Sequence, residues 1–332
     1  MSKMRFAITL GDPYSTENLK IAKQLGCTDV IGHGPRVAAG SDVWEFGDLV
    51  RMKRRVEDFG LRLDVLEDGP PIEKIMLDLP GREEQMENFC KSLENLGAAH
   101  IHTIKPQHMP PGWQKVMTTS TSKPTRGGAT SRAFDFDLIE TALVTEYGVV
   151  TEEEMWDNLA YFLKGVLPTA EEAEVRIALH PDDPPISPIQ GFARILRSVE
   201  AFDHMLEIVP SDNIGLLFCQ GCFAEMGVDI PATIRHFGKR NKIFFAHFRD
   251  VRGTVPKFQE VFHDDGPTDM FAAMKAYYEV GFDGPMRPDH GPTMVGEEGE
   301  GPLTSDFGGR MSKKFALGYM KGLAESVEKM GY

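Results

Sequence analysis

The sequence predicts a single closed (β/α)8 barrel of the TIM-barrel class, and three observations carry that expectation. Eight short apolar runs alternate with eight longer stretches whose apolar residues recur at three- and four-residue steps, the patterns of buried strands and amphipathic helices. Four side chains able to bind a metal, His180, Cys219, His247 and Asp289, fall at the C-terminal ends of the last four runs. Successive ones stand about 28 to 42 residues apart, room each time for one helix and one further strand, and in a closed parallel barrel those strand ends converge on the mouth that houses the chemistry. Finally, 332 residues, 41 % hydrophobic and 26 % charged, supply an ample core for one barrel domain spanning 1–332.

In chain order the expected strands are FAITL (6–10), DVIG (29–32), LRLDVLE (61–67), AHIHTI (99–104), VRIALH (175–180), IGLLFC (214–219), KIFFAHF (242–248) and GPMRPDH (284–290). The helical patterns cover 15–26, 46–59, 82–97, 151–166, 190–208, 226–238, 268–280 and 311–330. Ser15, Thr151 with Glu154 three residues on, and Thr268 with Asp269 are helix-start signals. One stretch breaks the alternation. Residues 105–150, rich in Pro, Gly, Ser and Thr, have no clear period and form an insertion after the fourth strand. Such a segment is either disordered or a functional lid, and its exit at the mouth that carries the metal ligands favours a lid.

The formal net charge of −14 argues against nucleic acid or an anionic membrane as partner, because phosphate binding draws on a basic surface. It leaves open a small anionic substrate held by a metal or a few cations, and it leaves open homo-oligomer formation. Cys27, Cys90, Cys219 and Cys222 are too few and scattered for a disulfide scaffold, so reduced thiols in a cytoplasmic protein are expected. The CQGC segment has redox spacing, but a redox CxxC opens a helix whereas Cys219 ends a strand. Cys219 is therefore read as a ligand and Cys222 as its loop neighbour. The start, MSKMRFAITL, has no signal-peptide core, and no run of 18 apolar residues occurs.

The same residues carry a family resemblance. HPDDPP at 180–185, HFRDVRG at 247–253 and MRPDHG at 286–291 closely resemble motifs of the mannonate dehydratase family, which belongs to the xylose-isomerase-like barrels. DLPGR at 78–82, the Glu67 strand before it and FALGYMKGL at 315–323 resemble further family segments, so the likeness covers most of the chain. It implies a divalent ion, commonly Mn²⁺ or Fe²⁺, on His180, Cys219, His247 and Asp289, with His290 as acid or base. It also implies conversion of a sugar acid, D-mannonate, to 2-keto-3-deoxy-D-gluconate. Two regions depart from the pattern. Phe307 or Gly308 falls where the family carries a tyrosine in a GYG-like loop, and Ile104 to Trp113 lacks the usual apolar and aromatic wording. Weak or altered dehydratase activity is therefore expected, with His108, Ser131 and Arg132 available as replacement donors.

Two imidazoles, a thiolate and a carboxylate suit Mn²⁺, Fe²⁺, Co²⁺ or Zn²⁺ better than Mg²⁺. A sugar-acid dehydratase needs, besides the metal, a base for the proton beside the carboxylate and an acid for the departing hydroxyl. His290 can fill either role or merely orient Asp289. Arg249 and Arg287 can clamp a substrate carboxylate or join the barrel's internal ion pairs. Asp182 and Asp183, in a proline-stiffened loop, can support the metal site or form a solvated turn. Glu67 is placed to orient a water at the metal, and His33 and His108 are candidate substrate contacts. His100, His204 and His236 read as structural. Two rivals stay open: an isomerase or epimerase of the same superfamily, and a barrel that binds a sugar acid without turnover.

Overall fold

The computed structural model describes residues 4–10, 14–35, 42–109, 112, 116–139, 148–297 and 311–332. Eight parallel strands close a barrel: β1 (Arg5–Leu10), β2 (Asp29–Gly32), β3 (Arg62–Leu66), β4 (Thr103–Ile104), β7 (Arg176–Leu179), β8 (Ile214–Cys219), β9 (Ile243–Phe248) and β12 (Pro285–Pro288). The ring closes where Arg5 meets Pro285 and Phe6 meets Met286. All eight coincide with runs expected as strands, β1 starting one residue early at Arg5, because a barrel strand is covered by helices outside and filled by side chains inside and therefore reads as continuous apolar sequence. Ala7, Ile31, Val65, Ala178, Leu217, Phe244 and Phe245 form one buried cluster contributed by six of these strands.

Local chemistry fixes the helix starts. Ser15 Oγ accepts from Asn18 N–H at 3.0 Å ahead of α1 (Thr16–Gln24). Thr151 and Glu154 form the expected capping box at the head of α5 (Glu152–Glu172), and Asp269 caps α9 (Met270–Glu279). The remaining helices named by the sequence are α2 (Phe46–Glu57), α4 (Arg82–Ala98) and α10 (Met311–Lys329), and a short α3 (Glu73–Met76) adds to them.

Three expectations need correction. The fourth strand is two residues long, since His100 takes a φ of 55° and turns the chain just before it. The helix expected over 190–208 begins only at α6 (Val199–Ile208), where Ser198 caps it; Gln190 and Gly191 both have positive φ, so Phe192, Ile195 and Leu196 are buried from a loop. The pattern at 226–238 opens at α8 (Ile230–Gly238), capped by Asp229, and Gly227 at φ 79° separates it from α7 (Gln220–Glu225).

The insertion contains ordered structure of its own. β5 (Ser120–Pro124) and β6 (Thr130–Asp135) form a hairpin, and β10 (Val251–Thr254) and β11 (Lys257–Glu260) form another directly after β9. The two join as a four-stranded antiparallel sheet in the order β10-β11-β6-β5. Val116, Phe134, Ile189, Val251 and Phe258 make a small core beneath this cap. Thr130 and Thr293 exchange backbone hydrogen bonds of 3.1 and 2.7 Å, which ties the cap to the loop after β12.

Candidate metal centre

The four sequence-distant donors stand at the C-terminal ends of the barrel strands and fall into two overlapping groups. Donor atoms of Cys219, His247 and Asp289 lie within 4.8 Å of one another, and those of His180, Cys219 and Cys222 do likewise. Cys219 is common to both groups. Its Sγ is 3.6 Å from Asp289 Oδ2, His247 Nδ1 is 3.6 Å from the same oxygen, and the rings of His180 and His247 are centred 5.5 Å apart. Barrel register brings them together, since Cys219 pairs directly with His247 on the next strand and His247 with Arg287.

Each donor is oriented by a second group. His180 Nδ1 lies 2.5 Å from the Pro181 carbonyl, so its N–H donates there and Nε2 is left as the acceptor. His247 Nε2 bonds Glu67, which leaves Nδ1 toward Cys219 and Asp289. Such carboxylate and carbonyl partners fix the tautomer of metal-binding imidazoles. Arg287 bridges the set, donating to Glu67 Oε1 at 2.6 and 3.0 Å and to Asp289 Oδ1 at 2.9 Å. Burial pushes the Asp289 carboxyl up, but His290, His247, Arg287 and Arg249 together hold it well below the usual range. Burial likewise raises the Cys219 thiol, and the Cys222 hydrogen bond with the charges of Arg249 and His180 brings it well below its ordinary value. Both shifts favour the anionic forms, which a divalent cation requires.

Above the donors is a cavity of about 240 Å³ whose wall includes His33, Glu67, Asp183, Arg287 and His290. His33 Nδ1 is 2.6 Å from Asp68 Oδ2. Lys105 also lines it, only 9 % exposed; its backbone N–H donates to the Leu66 carbonyl at 2.9 Å, and although burial raises the nearby Asp68 carboxyl, His33 and the Lys105 charge bring it below its usual range. Sequence reasoning missed this lysine because it follows a very short strand. Its signal was its place, first residue past the fourth strand.

Other expected site residues lie elsewhere. Arg249 lies beneath the cavity, 1 % exposed, bonding Asp289 Oδ2 at 2.8 Å, Glu225 Oε1 at 2.8 Å and Asp183 Oδ2 at 3.1 Å. It is spent on internal ion pairs and cannot reach a substrate in the cavity. Gly221 makes room for it, since a methyl group there would fall 2.4 Å from Arg249 Cζ. Burial and Asp183 push the Glu225 carboxyl well above its ordinary range. His108 and Asp182 are also off the wall, buried together with Arg194 3.6 Å from Asp182 Oδ1, which stands 3.6 Å from His108 Nε2; Asp182 Oδ2 accepts the Leu196 N–H. That pair holds a loop and not a substrate. Ser131 Oγ accepts from Gln259 within the cap. Cys222 is no loop residue: Cys219 both ends β8 and precedes α7, whose first turn brings Cys222 Sγ to 3.3 Å. Phe307 and Gly308 lie outside the described residues.

His290 faces the cavity and is about a quarter exposed, with Nδ1 2.8 Å from Glu260 Oε1 and 2.9 Å from Arg132 Nη1. Burial raises the Glu260 carboxyl, but Arg132 and His290 draw it down to about 2. Glu260 was invisible in the sequence, since it reaches the site through the cap. No helix among the described residues is long and apolar enough to cross a membrane.

Comparison with known proteins identifies the family. The family model described as D-mannonate dehydratase (UxuA) matches residues 3–145 and 136–332. The mannonate dehydratase of Thermotoga maritima is 33 % identical, with 96 % of each chain covered, and mannonate dehydratase 2 of Halalkalibacterium halodurans is 32 % identical over 98 % of this chain and 99 % of that one. The crystal structure of mannonate dehydratase from Streptococcus suis serotype 2 superposes with a TM-score of 0.89 at 29 % identity, covering 99 % of this chain and 96 % of that one. An L-ribulose 3-epimerase structure, at 15 % identity and a TM-score of 0.61 over 99 % and 97 %, shares the fold alone. The chain belongs to the D-mannonate dehydratase family.

Proposed function

We propose that the protein removes water from D-mannonate to give 2-keto-3-deoxy-D-gluconate, at a divalent cation held by His180, Cys219, His247 and Asp289. The observation that carries this reading is a pair of donor groups sharing Cys219, with His180, His247 and Asp289 lining a cavity that His290 and Lys105 also wall. The donor set fits Mn²⁺ or Fe²⁺, because a thiolate and two imidazoles disfavour Mg²⁺ while the carboxylate and a sugar acid's oxygens suit a harder ion. When bound, the cation supplies charge stabilisation for the anion formed when the proton beside the substrate carboxylate leaves, worth several kcal/mol.

The protein's own groups do the rest. Lys105 offers three donors and a full charge to the substrate carboxylate, which selects an acid over a neutral sugar. His290 moves protons, with Nε2 on the side of Asp289, 3.8 Å from Oδ1. Glu67 and Arg287 hold the ligands in place and are consumed by that task.

The test is direct. Protein loaded with Mn²⁺ or Fe²⁺ is incubated with D-mannonate and the 2-keto-3-deoxy acid is assayed; absence of product with bound metal would refute the reading. Two variants sharpen it. His290→Ala is expected to keep its metal and lose about 10²- to 10⁴-fold in turnover, measured as kcat beside metal content. Lys105→Met is expected to raise KM for D-mannonate about 10- to 100-fold, the equivalent of a charge-assisted hydrogen bond of about 1.5–3 kcal/mol, with metal content unchanged.

A further inference from the structure

The cap sheet reaches the reacting end of the cavity through two side chains that no barrel strand carries. The register of β11 on β6, Lys257 to Asp135, Phe258 to Phe134 and Gln259 to Ala133, places Glu260 opposite Arg132 one step further on. Side chains alternate along a strand, so Glu260 shares a face with Phe258 and Arg132 shares one with Phe134. All four are buried, whereas Lys257 on the other face is exposed. The inward face thus delivers a carboxylate and a guanidinium, 3.7 Å apart, to one imidazole. The loop bearing that imidazole is pinned three residues later by the Thr130–Thr293 backbone pair.

We propose that Glu260 and Arg132 are positioning residues for His290, so that the cap sheet sets the orientation and tautomer of the imidazole. An ionised carboxylate can only accept, so the contact with Glu260 places a proton on Nδ1. Nε2 is then the unprotonated nitrogen, on the side of Asp289 and 3.3 Å from Arg132 Nη1. Arg132 cannot use Nδ1 as an acceptor at the same time. Its guanidinium, 2.9 and 3.3 Å from the two ring nitrogens and 3.7 Å from Glu260, flanks the pair and holds the carboxylate in line. The two groups come from different barrel loops, so the arrangement exists only when both hairpins have paired.

This inference rests on the reading of His290 as the proton-transfer group, and the experiment separates the two. Steady-state kinetics on D-mannonate, bound metal and thermal melting are measured for manganese-loaded Glu260→Ala, Glu260→Gln, Arg132→Lys, His290→Ala and the double variant Glu260→Ala/His290→Ala. Glu260→Ala is expected to lower kcat about 10- to 100-fold, the range for removing a partner that orients a functional histidine, with KM and metal content unchanged. Glu260→Gln, which keeps an acceptor oxygen for the Nδ1–H, recovers part of that loss and carries the test if the alanine variant fails to fold. Arg132→Lys falls between wild type and Glu260→Ala in kcat. The double variant turns over no more slowly than His290→Ala alone, because Glu260 acts only through the imidazole. Wild-type kcat in Glu260→Ala, or losses that multiply in the double variant, would overturn the proposal. Wild-type turnover in His290→Ala would instead remove the proton-transfer assignment, and the proposal with it, without any cap substitution being involved.

Discussion

Cys219→Ala is expected to lose tight binding of a divalent cation and, with it, turnover, while the barrel stays folded. Cys219 is the one residue shared by both donor groups at the barrel mouth, and with Asp289 it is one of two anionic donors there. Changing a residue that only orients a ligand already costs about 10- to 100-fold in metal affinity, so loss of the thiolate itself is expected to exceed about 100-fold. The side chain is small, and its removal leaves a void lined by polar groups. Equilibrium dialysis with Mn²⁺, read by elemental analysis beside circular dichroism, checks this. Retention of one equivalent at wild-type affinity would exclude Cys219 from the coordination set.

Arg249→Ala is expected to destabilise the metal-free protein by about 3–5 kcal/mol, the cost of stripping the partner from buried charges. The guanidinium stands among Asp183, Glu225 and Asp289, all buried. Glu225, already pushed upward by burial and Asp183, is the group that takes up a proton when the cation goes. Arg249→Lys restores the charge but not the fork that serves three acceptors at once, so it recovers only part of the loss. Urea denaturation of chelator-treated protein measures the change without counting the bound ion. A variant within about 1 kcal/mol of wild type would show that the cage contributes nothing net.

These two sites show what the sequence made legible and what it hid. The ligand positions could be read because doubly buried strands leave continuous apolar runs, and a His, Cys or Asp closing such a run stands out. The mouth of a parallel barrel then gathers them whatever the helices between look like. Arg249 was visible as a residue two past a ligand, but its partners were not. Glu225 comes from a six-residue helix with no pattern of its own, and the fit depends on Gly221 lacking a side chain. The cap was hidden for a different reason. SerThrSerLysPro at Ser120–Pro124 has neither alternation nor burial, and it becomes a strand only by pairing with β6, which is itself held by β11 from the far side of the sequence. Glu260 and Arg132 inherit that invisibility, since their meeting at His290 depends on a register between two loops. Lys105 was passed over because a two-residue strand gives almost no signal to mark its end.

The most direct test of the central claim is anomalous diffraction at the manganese edge from crystals grown with Mn²⁺. One strong peak is expected to contact His180, Cys219, His247 and Asp289 together, at about 2.0–2.3 Å from nitrogen and oxygen and slightly longer from sulfur. A peak that leaves any two of these side chains uncoordinated, or that appears only elsewhere on the molecule, would contradict it.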